Sequence, residues 1–349
     1  MTITRKFTSS FLRRSVRLLP VIGVALFVLV ASACDFGGSQ SDSTEVVFSA
    51  EVAGNVDIYR IGSDDDVPVR VTSAVGQDFA PAWSPSKEKI AFLSDRNGTN
   101  ALWVMEANNS NNGSKRQVSA VGVEVVSFRW SPDSNRVGIE IVDGDVHLIE
   151  VIDTKAADAL SLTSPNENAR IGDWSPDGEW LVYAAMEGEA SGIRRRNPTG
   201  VDEITLTIGT DSRPRWSGNG QWIAFNRTSG GGSIDLVVVD KDGNNERVVA
   251  TGVSAKTVHD WSPDSKHIVY VSETSGDDEI FVVRPDGKDS EQLTSNRVID
   301  AAPVWSSDGA SILFLSEGDG SFDVYSMSKD GGQQVRKTTI PDLILSATW

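Results

Sequence analysis

The sequence predicts an all-β chain folded as a seven-bladed β-propeller of four-stranded antiparallel blades. Three observations carry this prediction. Tryptophans recur at a near-constant interval, each of the first six opens a turn motif that leads into an alternating apolar run, and the chain has two incomplete ends that complete each other.

Trp83, Trp130, Trp174, Trp216, Trp261, Trp305 and Trp349 lie 47, 44, 42, 45, 44 and 44 residues apart. Each of the first six precedes Ser. Pro follows in four cases (Pro85, Pro132, Pro176, Pro263), and Asp133, Asp177, Asn219, Asp264 and Asp308 follow in turn. Pro presets the first corner of a turn, and Asp, Asn and Gly suit the second, so each motif reads as a strand ending in a tight turn.

Second strands come next: "KIAFLS" (89–94), "RVGIEIV" (136–142), "WLVYAAM" (180–186), "WIAFNR" (222–227), "HIVYVS" (267–272) and "ILFLS" (312–316). Third strands follow, with opening residues at Asp57, Ala101, Asp145, Gly192, Asp235, Glu279 and Asp323. Asp-Gly pairs at 242–243, 286–287 and 330–331 mark hairpins into a short fourth strand. Residues 45–73 supply three strands with no leading Trp strand, and Leu343–Trp349 supply a Trp strand with nothing after it. Pairing these two ends closes the ring and removes two sheet edges. The propeller is therefore expected over 45–349.

The repeat resembles the WD-like propeller unit of the TolB family, most clearly in "VHDWSPDSKHIVYVSETSGDDEIFVVRPDGKDSEQLTS" (258–295). The resemblance covers about residues 45–349. It implies a propeller that binds an envelope protein, although TolB itself has six blades behind an α/β domain and is not lipid-anchored. By the same resemblance the serine of each motif belongs to a turn, and each Trp packs between blades.

Residues 1–33 contain Arg5, Lys6, Arg13, Arg14 and Arg17, no acid, and the apolar run "VIGVALFVLV" (21–30). The run is too short for a comfortable bilayer span and reads as an export signal. The Arg13–Arg14 pair leaves the general and twin-arginine routes both open. "ASAC" (31–34) resembles a lipobox, which implies lipidation at Cys34, the only cysteine. Residues 34–44, small and polar after Cys34, read as a tether. The expected setting is a bacterial membrane, with the propeller facing the periplasm or the exterior and the lipid bilayer contacted through Cys34.

The net charge is −17; without residues 1–33 it is −22, from 27 basic and 49 acidic residues. Nucleic acid is excluded as a partner of the folded part. Short SPD and DG turns occupy one face of the disc, while dissimilar blade-to-blade loops such as "SAVGQDFAPA" (73–82) and "TSPNENARIGD" (163–173) occupy the other. Unlike loops around an opening suit binding. Asp78, Glu124, Arg170, Asp211, Arg213, His259 and Asp300 stand close before a Trp and are the candidate partner-binding rim. The shared register of Asp78, Asp211 and Asp300, five before their Trp, points to a structural role for those three.

No metal site or cofactor is expected. The three histidines are scattered: His147 reads as a packing residue in the column of Tyr59, Trp103, Phe281 and Tyr325, His259 takes a slot held by Pro81, Pro214 and Pro303 elsewhere, and His267 reads as surface. "DKDGNNE" (240–246) is a hairpin by comparison with the other blades. No nucleophile motif stands out, and Arg194–Arg196 reads as a solvated strand or a contact for an acidic partner. The expected function is a monomeric, non-enzymatic protein-binding scaffold of the cell envelope, engaging a protein or glycan. The alternatives are a polysaccharide lyase or hydrolase, and a small-ligand or glycan sensor.

Overall fold

The structure, a computed structural model, describes residues 45–349 apart from 63–66, 108–114, 188–190, 255–258, 275, 319 and 339–343. The export signal, Cys34 and the tether lie outside the described residues. The described chain forms seven antiparallel sheets of four strands each. Blade 2 comprises Asp78–Trp83, Lys89–Ser94, Ala101–Glu106 and Arg116–Gln117. Blades 3 to 7 repeat this order from inner strands Glu124–Trp130, Ala169–Trp174, Asp211–Trp216, Asp260–Trp261 and Asp300–Trp305.

Blade 1 is shared. Its inner strand, Ile344–Thr348, pairs antiparallel with Val46–Val52, placing Phe48 opposite Ala347 and Ser49 opposite Ser346. The two buried serine hydroxyls hydrogen bond at 2.8 Å. The carbonyl of Trp349 accepts a hydrogen bond from Lys87 Nζ at 2.8 Å, which ties the end of the chain to the first turn of blade 2.

Each turn serine works in the same way. Its Oγ accepts the backbone N–H five residues on, as Ser131 does from Arg136 (2.9 Å) and Ser262 from His267 (2.9 Å). In blades 3 to 7 it donates to the acid or amide two residues on, as in Ser262 to Asp264 at 2.7 Å, while in blade 2 Ser84 pairs with the Ser86 hydroxyl at 3.2 Å. The motif is thus a self-contained polar staple between inner and second strands. A second recurrent bond joins third and fourth strands: Thr72, Ser119, Thr163, Thr207, Thr294 and Thr338 each accept a third-strand N–H at 2.8–3.0 Å. Where an acid precedes that N–H the threonine donates to it, as to Glu279 (2.6 Å) and Asp323 (2.9 Å).

The tryptophans pack across blade boundaries. Trp130 lies in a cluster with Ala82, Ala91, Leu102 and Val104 of blade 2, and Trp261 with Ala224, Leu236 and Val238 of blade 5. Trp83 packs on Val47 and Ile58 of blade 1, and Trp349 on blade 7. The indole N–H of Trp130, Trp174 and Trp261 donates to the carbonyl just before the preceding blade's tryptophan, at 3.1–3.2 Å.

Blade 3 departs from the expected phase. Its second and third strands meet in a tight hairpin at Gly144, and Ile139 faces Glu150, the position at which Phe92 faces Trp103 in blade 2. The third-strand column therefore passes through Leu148, not Asp145, and His147 stands outside the aromatic column. It bonds Glu140 through Nδ1 at 2.5 Å.

Two outcomes test this architecture. Trp130→Ala should destabilise the protein by about 3–5 kcal/mol in urea unfolding, because the cavity opens between two sheets. Deleting residues 344–349 should bare the inner edge of blade 1, lower the melting temperature and produce aggregation visible by light scattering.

Candidate functional site

The inner strands ring the propeller axis, so their side chains decide what the centre can hold. Nearly all of them carry a bulge. The register shifts between Phe79 and Ala82, Val125 and Ser127, Ile171 and Asp173, Ser212 and Arg215, and Ala301 and Val304. Such an extra residue re-aims the side chains that follow it. Three of these strands share one sequence, Asp-x-x-Pro-x-Trp: "DFAPAW" (78–83), "DSRPRW" (211–216) and "DAAPVW" (300–305). Their third residues, Ala80, Arg213 and Ala302, adopt left-handed φ of 51°, 55° and 54°.

The shared aspartate is structural in all three. Asp78 is buried and bound by Arg96 through both oxygens, at 2.7 and 2.9 Å. Asp211 is buried, paired with Arg227 at 2.7 Å, and receives the Thr207 hydroxyl at 2.5 Å. Asp300 is buried and accepts from Ser316 (2.5 Å) and Asn296 (2.8 Å); burial raises its pKa. These three, and His259, named as rim candidates, are buried: each aspartate is covered by its own partners, and His259 is enclosed between the blades. Glu124 and Arg170 are partly exposed. Glu124 holds the Asn100 side chain of the neighbouring blade at 2.6 Å, and Arg170 approaches Glu140 at 3.6 Å. Arg213 is partly exposed, with no hydrogen bond or ion pair among the described residues.

The arginine run is not a solvated strand either. Arg194 and Arg196 pair with Glu167 at 3.2 and 2.9 Å, and Arg195 with Asp242 at 3.0 Å while lying over the Trp180 ring.

The centre holds a feature the rim argument passed over. The residue just before each tryptophan reads Arg129, Asp173, Arg215 and Asp260 in blades 3 to 6, alternating in sign. In blades 7, 1 and 2 it is Val304, Thr348 and Ala82. The axis is charged on one side and neutral on the other. The aspartates bridge blades: Asp173 accepts the N–H of Trp174 (2.9 Å) and of Trp216 (3.3 Å), and Asp260 accepts that of Trp305 (3.0 Å). Burial raises the Asp173 pKa against the pull of Arg215 and Arg129. Burial and the nearby Arg215 bring the Arg129 pKa down to about 9. This alternation is visible in the sequence once the column before Trp is read as a column.

His259 is fully enclosed beside this belt. Neither ring nitrogen has a hydrogen-bond partner. Burial, with Arg215 and Arg213 adding repulsion, pushes its pKa down to about 3; the Ala224 backbone opposes this without reaching hydrogen-bond geometry. The ring is neutral at physiological pH. Among the described residues no three of His, Cys, Asp and Glu are grouped to hold a metal ion.

A family model described as the TolB beta propeller domain matches residues 24–170 and 253–349. Among curated proteins, the uncharacterized peptidase YuxL of Bacillus subtilis is 24% identical over 168 residues, 38% of this chain and 25% of that protein. The match thus spans a quarter of that relative's length. Among solved structures, TolB from Acinetobacter baumannii aligns at 15% identity and a TM-score of 0.56 over 87% of this chain and 66% of that one. An oligogalacturonate lyase in complex with manganese aligns at 14% identity and a TM-score of 0.67 over 86% and 89%. At such identities these structures share the fold.

Two measurements follow from the interior charges. Arg96→Ala should cost about 3–5 kcal/mol, since Asp78 would be left buried and unpaired; urea unfolding reads this directly. The neutral histidine sets a pH slope. Unfolded, His259 takes up a proton near its ordinary value of 6.5; folded, it stays neutral down to about pH 3. Stability from this residue is complete above pH 6.5 and is lost as pH falls through that window, by up to about 2 kcal/mol at pH 5. The difference in unfolding free energy between wild type and His259→Leu should shift by that amount between pH 7 and pH 5.

Proposed function

The chain belongs to the TolB beta propeller family, and from that premise we propose that it is a non-catalytic scaffold of the bacterial cell envelope that docks a protein partner on its loop-bearing face. The observation that carries the proposal is apolar. Val75, Val121 and Ile208 are 97%, 86% and 72% exposed. They occupy corresponding places in the loops leading into the inner strands of blades 2, 3 and 5, on one face of the disc. Exposed aliphatic side chains that recur at one position on one face suit an interaction surface. A partner with a complementary apolar patch and basic surroundings suits a chain of net charge −17.

The buried acids support the same reading. Asp78 and Asp211 are each neutralised by an arginine of their own blade, which leaves them poor proton donors or acceptors for catalysis. The propeller is held at the membrane through lipid on Cys34, with residues 34–44 as its tether; among the described residues no helix is long and apolar enough to cross a membrane. A single acyl chain holds only marginally, so a lipoprotein-type anchor of two or three chains is required.

Cross-linking in intact cells, followed by mass spectrometry, tests the docking face. The combined Val75→Asp, Val121→Asp, Ile208→Asp variant should capture the wild-type partner at least tenfold less while keeping the wild-type melting temperature. Unchanged capture, or turnover of polygalacturonate or peptides by the purified protein, overturns the reading. Cys34→Ser should move the protein from the membrane to the soluble fraction.

A further inference from the structure

We infer that the charged side of the propeller axis is a binding site for a small oxyanion, a carboxylate or phosphate group, held by Arg213 beside Arg129, Arg215 and His259. The site lies on the inner strands, and the inference does not depend on partner docking.

Charge is unbalanced here. Arg215 stands within electrostatic reach of Arg129, Arg213 and His259, and Arg129 within reach of Asp173 and Asp260, three cations against two anions. The nearest further acid, Glu140, is already engaged by Arg170, His147 and the Ile171 N–H. Asp211 is taken by Arg227. One positive charge, on the partly exposed Arg213, remains without a counter-charge. A half-buried guanidinium reachable from solvent favours a bound anion.

Position adds to charge. Arg213 is the third residue of the Asp-x-x-Pro-x-Trp bulge, where the other two copies carry Ala80 and Ala302. All three have left-handed φ, a conformation unfavourable for an L-residue that gains nothing from a long side chain. The blade geometry needs only alanine there. The guanidinium has no hydrogen bond or ion pair among the described residues, and both burial and Arg215 lower its pKa.

Donors also stand unmet. The Nε of Arg129 and both ring nitrogens of His259 are buried without partners. A neutral imidazole can donate one hydrogen bond, and a guanidinium can bind an oxyanion through two parallel N–H groups. The group has the donors of an anion site.

The test uses the purified protein, with sodium acetate and inorganic phosphate as separate probes in isothermal titration calorimetry, and melting curves in parallel. At least one probe should bind and raise the melting temperature by mass action. Acetate binding alone indicates a carboxylate ligand, phosphate alone a phosphorylated one, and both a general oxyanion site. Arg213→Ala, which restores the residue of the sister blades and so keeps the fold, should weaken binding at least tenfold and flatten the melting response. Arg297→Gln, an exposed arginine on another blade-to-blade loop, should leave both unchanged. Absence of binding by either probe at tens of millimolar, or an Arg213→Ala variant that binds like wild type, overturns the inference.

Discussion

The structure depends on one repeated contact, the tryptophan that ends each inner strand and packs into the preceding blade. A single four-stranded sheet of short strands has too little core to stand alone. Each tryptophan joins its own strand to the sheet before it, and three of them add an indole hydrogen bond to the neighbouring inner strand. Stability is therefore distributed around a ring. The ring must close, because an open one would leave blade 7 without a packing tryptophan and blade 1 with a bare inner edge. Ile344–Thr348 answers both needs at once: it completes blade 1, and Trp349 beyond it packs on blade 7.

The polar interior follows from that packing. Blades wedge together, so the inner strands approach closely and bulge. The inner-strand N–H groups of Trp216 and Trp305 need partners, and Asp173 and Asp260 supply them across blade boundaries. Arginines in the alternate blades then compensate the aspartates. Arg213 alone exceeds this requirement, which separates it from the charges that hold the fold together.

The two faces divide the labour. The SPD-type turns are closed polar staples, with serine and acid bonded to each other and to the backbone, and offer few free groups. The opposite face carries unlike loops with exposed aliphatic tips, and its acidic residues are mostly withdrawn beneath. A partner would thus meet apolar tips first, while the charged axis stays reserved for something small enough to enter.

The sequence by itself determined the fold, the number of blades, the closure of the ring and the purpose of the repeated serine. These follow from period and turn chemistry, which are local properties repeated often enough to read. The structural role of Asp78, Asp211 and Asp300 was legible in the same way, from a shared register. Tertiary structure alone decided which polar residues reach the surface. Position before a tryptophan does not distinguish buried His259 from partly exposed Glu124, because burial depends on how neighbouring blades and loops cover each strand. The alternating charges of Arg129, Asp173, Arg215 and Asp260 stood in the sequence about 44 residues apart. Their meaning as a belt arises only when the ring brings four distant segments to a common axis, since electrostatic coupling depends on distance in space and is blind to distance along the chain.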